Sequence, residues 1–149
     1  MPAFLLPVLA LVAFFDLKLL RIPDKLTVIA LIGFVPIAAT LPVEELILRL
    51  LTAAAVFAIG FCLFALRLFG GGDVKFLPVL LLFIPTAELA TFCYCLSASI
   101  LLAIATVSVA RNKAVGAFRG WAFLTGSRSL PLGVSFAYAG LLSWMISIA

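Results

Sequence analysis

Six apolar runs, separated by short charged or glycine-containing breaks, set the plan of this chain. They extend from Pro2 to Phe15, Lys25 to Leu41, Leu46 to Phe69, Phe76 to Ile84, Ala87 to Ala110 and Leu130 to Ile148. A helix rising about 1.5 Å per residue needs about 20 apolar residues to cross the roughly 30 Å hydrocarbon layer. The first run, at roughly 21 Å, falls short on that rise. Its helix is therefore expected to continue through Asp16 and Arg21 to Pro23, with Lys18 and Arg21 snorkelling outward and Asp16 below the surface. It lacks a basic n-region and a small-residue cleavage site, so it reads as a retained anchor. The fourth run stops at Pro85 and is shorter still; a re-entrant segment is the alternative to a full pass.

Composition turns this pattern into a class. With 66% hydrophobic and 11% charged residues and a mean hydropathy of +1.38, the chain reads as an all-α polytopic membrane protein of about six transmembrane helices. A single membrane-embedded domain over 1–149 is expected. The formal charge of +4 does not point to nucleic acid. Lys18, Arg21 and Lys25, then Arg67 and Lys75, then Arg111, Lys113, Arg119 and Arg128 occupy three breaks, whereas Glu44, Glu45 and Glu88 occupy the others. Basic short loops stay in the cytoplasm, so the three basic breaks share the inner side and both termini lie outside it. That requires two passes between Lys75 and Arg111: a short one from about Asp73 to Pro85, and the run from Ala87 to Ala110.

Cys62, Cys93 and Cys95 lack CxxC spacing and lie in apolar runs, so buried thiols are expected rather than disulfides or metal ligands. The absence of histidine excludes Ser-His-Asp and Cys-His catalysis and the HExxH zinc site. No cofactor is implied. Ser127 lies outside any GxSxG pattern, which argues against a serine nucleophile.

What remains is carboxylate chemistry. An acid at membrane depth is costly and marks a functional site by default. Asp16 lies near the inner end of a helix running inward, and Asp73 at the inner start of one running outward, so both reach the same depth. Helices one and four are free to pack side by side. Two neighbouring carboxylates do not both ionise cheaply, so one keeps a proton while the other acts as base on a shared water. Gly70 and Gly72 then serve backbone conformation, through positive φ, or close approach of substrate. The plainer reading makes Asp16 a solvated interface charge and Asp73 a helix cap after a glycine hinge. From another class, a small transporter or proton channel would use the two acids as a relay, with polar stripes along several helices.

Two stretches carry a resemblance. Asp16-Leu17-Lys18-Leu19-Leu20-Arg21-Ile22-Pro23-Asp24-Lys25-Leu26-Thr27 resembles the first-aspartate segment of the type IV prepilin peptidases, and Gly70-Gly71-Gly72-Asp73-Val74-Lys75 resembles their GxGD-x-K segment. Pro131-Leu132-Gly133 is similar to the Pro-x-Gly element opening their last helix. The resemblance implies an aspartyl protease of the bacterial inner membrane, catalytic through Asp16 and Asp73, with Gly70, Gly72, Lys75 and Pro23 supporting the motifs. Its partners would be prepilin or pseudopilin precursors, whose basic leader it removes on the cytoplasmic side. Asp24 stands where the family usually has Asn. The chain looks like the short, protease-only form associated with Flp-type pili, without the methyltransferase domain of longer members.

Overall fold

The computed structural model describes residues 4–19, 21–113 and 132–148. Within them lie six α-helices: α1 (Leu5–Leu19), α2 (Asp24–Ala38), α3 (Val43–Ala65), α4 (Gly71–Leu82), α5 (Leu89–Lys113) and α6 (Leu132–Ile148), with a 3-10 turn at Thr86–Glu88 before α5. The expected loop from Arg111 to Ser129, apart from the end of α5, lies outside the described residues.

The six apolar runs reappear as six helices, but the boundaries shift for local reasons. α1 does not reach Pro23; it ends at Leu19. A residue preceding proline is disfavoured in the α region, and the chain uses the break to turn Ile22 inward, where it is buried. α2 begins at Asp24, with Pro23 as its N-cap residue in the extended conformation. α3 stops at Ala65, well before the glycines, in a Schellman motif: Leu68 N–H donates to Leu63 C=O and Arg67 N–H to Phe64 C=O. Arg67 takes the left-handed position of that motif, with φ 60°.

Among the described residues two helical stretches, Val43–Ala65 and Thr86–Thr106, are long and apolar enough to cross a membrane. On α3 large apolar side chains such as Leu51 and Ile59 are exposed, an apolar face of the kind that meets a membrane or another protein. Small residues recur every fourth position on α5 (Cys95, Ser99, Ala103) and α6 (Ser135, Ala139, Ser143), and all six are buried. α5 and α6 pack on one another, as small-residue stripes permit. The cysteines depart from expectation, for Cys62 and Cys93 are exposed on helix faces and only Cys95 is buried; all three are free thiols.

α6 packs against both α5 and α1, and α4 against both α3 and α2. α2 and α6 each pack on both α1 and α4, and α1 and α4 contribute side chains to one shared core. The core between them holds Leu5, Leu9, Val12, Phe76, Leu80 and Phe92, each almost fully buried.

Candidate functional site

The end of α1, the start of α2 and the start of α4 enclose an open cavity of about 620 Å³. Asp16, Pro23, Gly70, Gly72, Asp73 and Lys75 all line it, so every residue expected at the site from sequence is brought to one place. Asp16 is 5% exposed, on the last full turn of α1. Asp73 sits in the first turn of α4, after the extended residue Gly70. The two carboxyl groups are close enough to interact electrostatically.

Each acid is placed by backbone. Gly133 N–H, at the start of α6, donates to Asp16 Oδ2 at 2.6 Å, and the backbone of Val134 also bonds this carboxylate. A Cβ on Gly133 would lie 2.8 Å from Asp16 Cβ. At Asp73 the glycines act through space. A Cβ on Gly72 would lie 3.0 Å from Ile22 N, and one on Gly70 would lie 2.7 Å from Asp73 Oδ2. Gly70 has φ −73°, and neither Gly70 nor Gly72 adopts positive φ. The expectation of a left-handed turn is therefore corrected: these glycines leave room for a neighbouring backbone and for the carboxyl itself.

At the rim, Lys75 Nζ donates to both carboxylate oxygens of Asp24, at 3.0 and 3.1 Å. Both side chains are more than half exposed, so this is a solvated pair rather than a third buried acid. Lys18 lies over the Phe14 ring, 5.7 Å from its centroid. Among the described residues no group of three His, Cys, Asp or Glu side chains could hold a metal ion. Ser127 lies outside the described residues.

Sequence reasoning overlooked Arg49. It is 7% exposed, donates from Nε to Glu45 Oε1 at 2.8 Å and from Nη1 to Leu82 C=O at 3.0 Å. Glu45 Oε1 also accepts from Thr86 N–H at 2.9 Å. The network satisfies a carbonyl at the C-terminal end of the short α4, away from the cavity. A lone Arg inside an apolar run was the available signal.

Fold and site together define an all-helical, membrane-associated protein with two acids from distant helices facing one open cleft. The chain belongs to the Type IV leader peptidase family, whose sequence model matches residues 3–110. That span contains both acids and all the cavity-lining residues, and it makes the protein a leader-peptidase-type protease. No curated protein and no solved structure matches the chain.

Proposed function

We propose that the protein is an aspartic endopeptidase that removes the leader of type IV prepilin-like precursors, with Asp16 and Asp73 as its catalytic dyad. The observation that carries this reading is their convergence: one acid from the end of α1 and one from the start of α4 line the same cleft. The family match adds the reaction class and the kind of substrate.

In this mechanism a water sits between the two carboxyl groups. The ionised member draws a proton from it, and the oxygen attacks the scissile carbonyl. The protonated member hydrogen-bonds the carbonyl oxygen and stabilises the charge that develops there. Collapse of the tetrahedral intermediate reverses the proton flow, and the amine leaves protonated. The pair titrates as a unit. Gly70 and Gly72 allow α4 to start within reach of the Ile22-Pro23 segment, while Lys75 and Pro23 shape the rim. Carboxylates and water suffice for these steps, without a cofactor. All six helices are taken as one membrane domain with the cleft at the cytoplasmic face and both termini on the far side, as the distribution of Lys and Arg favours.

Co-expression with a type IV prepilin precursor, followed by mass measurement of its N-terminus, tests the reading. Asp16→Asn and Asp73→Asn each keep size and hydrogen-bonding capacity but remove ionisation, so each should abolish cleavage. The double variant should be no worse than either single one, because members of a catalytic unit are non-additive. Cleavage by Asp73→Asn at a rate comparable to the parent would refute the dyad. A relay in a transporter gains no support from the described residues: the other buried charge, Arg49, is tied to Glu45 and Leu82 at the end of α4 away from the cleft.

A further inference from the structure

The pairing of α1 with α6 has a regular register. A Cβ on Gly133 would meet Asp16 Cβ at 2.8 Å, and one on Gly140 would meet Leu9 Cδ1 at 2.4 Å. Both intervals are seven residues, close to two helical turns, and they run in opposite directions. The helices are therefore antiparallel and touch at two glycines on one face of α6. At one touching point the partner is the end of a leucine side chain, which can rotate. At the other it is the acid in the cleft, gripped by a backbone N–H at 2.6 Å. Gly133 lies in the first turn of α6, where N–H groups have no carbonyl four residues earlier in the helix. In apolar surroundings such a donor needs a partner, and Asp16 is the one it has.

We propose that Gly133 is a positioning residue for Asp16: the first turn of α6 fixes where this carboxyl points in the cleft, and the missing side chain at Gly133 is what permits that contact. This rests on the proteolytic reading above and extends it to a helix beyond the 3–110 segment shared with the family model. Both backbone bonds that hold this carboxyl, from Gly133 and Val134, come from the first turn of α6, which makes the Asp16 half of the dyad directional. The competing explanation is that Asp16 merely satisfies the end of α6, in which case crowding at Gly133 would cost stability and leave turnover per folded molecule intact.

The test uses the full chain in detergent micelles and a synthetic peptide carrying a type IV prepilin leader and the residues just beyond it. Gly133→Ala should lower kcat by about 10²-fold, the cost of roughly 1 Å of misplacement, with KM little changed. Gly140→Ala crowds the same interface against a flexible side chain, so it should lower the thermal midpoint and leave kcat close to that of the parent. Equal kcat for Gly133→Ala and the parent would overturn the proposal, as would an equal fall in both glycine variants. A substrate-free measurement covers the case in which Gly133→Ala does not fold. In ¹⁵N-labelled protein the Gly133 amide resonance should move on Asp16→Asn, and a resonance that stays in place would overturn the contact. A parent protein that leaves the peptide whole would refute the proteolytic reading instead, while the amide measurement would still decide the contact.

Discussion

Replacing Gly72 with alanine adds one methyl group at the point where α4 meets the α1–α2 connection. The new Cβ would lie 3.0 Å from Ile22 N, 3.1 Å from Ile22 Cβ and 3.4 Å from Ile22 O. The first and last of these are backbone atoms, and Ile22 is held from both sides. Its side chain is buried, and the next residue, Pro23, accepts the Leu26 N–H at 3.0 Å as α2 begins. Relief must then come from α4, whose first turn would tilt away by a few tenths of an ångström. Overpacking of this kind costs about 1–3 kcal/mol. Because Asp73 is the next residue, the tilt is transmitted to its carboxyl with little attenuation, and misplacement of up to about 1 Å lowers turnover by up to about 10²-fold. Gly71→Ala is the control. Its Cβ would meet Phe64 Cε2 at 3.2 Å, the end of an exposed ring that can rotate aside. Alanine is also the better helix former by about 1 kcal/mol, so this variant should be as stable as the parent or more so, with cleavage preserved. The assay is the fraction of co-expressed precursor cleaved, normalised to folded protein in the membrane. Equal activity of Gly72→Ala and Gly71→Ala would refute the account of Gly72 as a spacing residue.

Three further outcomes follow, two from the same geometry and one from the distribution of Lys and Arg along the chain. Asp24→Asn keeps an oxygen that accepts from Lys75, and the exposed pair it weakens is worth only about 0–1 kcal/mol; cleavage and thermal midpoint should hold, and a large loss of cleavage would place Asp24 among the working acids. Arg49→Met strips the Leu82 carbonyl of its partner, a loss of about 1–3 kcal/mol; the midpoint should fall with little change in turnover per folded molecule, and a catalytic loss at unchanged midpoint would contradict a purely structural role. Cysteine labelling should find Thr27 and Gly116 on the cytoplasmic side and Glu45 and Ala149 on the other, and inner-side labelling at Ala149 would rule out six passes.

The elements visible in the sequence were those specified by runs of one kind of residue. α3 and α5 follow from apolar stretches long enough to cross hydrocarbon, and α4 from a short run closed by Pro85. Hydrocarbon thickness alone would carry α1 on to Pro23, whereas the proline disfavours helical backbone at Ile22 before it and α1 ends at Leu19. Both acids were legible, since a carboxylate among apolar residues stands out in any register. The reason for the glycines was not. That Gly72 must clear Ile22, or Gly133 must clear Asp16, is a property of two backbones meeting, and no local pattern encodes it. Arg49 is obscured because a single charge does not interrupt a long apolar run, although its side chain satisfies the Leu82 carbonyl at the end of the short α4.

The packing also says what governs the distance between the acids. Asp16 belongs to the group α1, α5 and α6, held together through α6, whereas Asp73 belongs to α2, α3 and α4, held together through α4. The two groups meet where α1 packs on α2 and α4 on α6, and along that seam Phe76 and Phe136 pack with ring centroids 6.1 Å apart. Both rings are almost fully buried, and close-packed interiors transmit displacement rather than absorb it. Carboxyl separation is therefore a property of the seam as a whole, anchored near the cleft by Gly72 against Ile22 and deeper in by the phenylalanine pair. In the proposed mechanism a peptide bound in the cleft would press on the same seam, and a shift of the two groups by a fraction of an ångström would change the one distance on which the proposed sharing of a water depends. The glycines at 72 and 133 each remove one obstacle to that distance, one from each side.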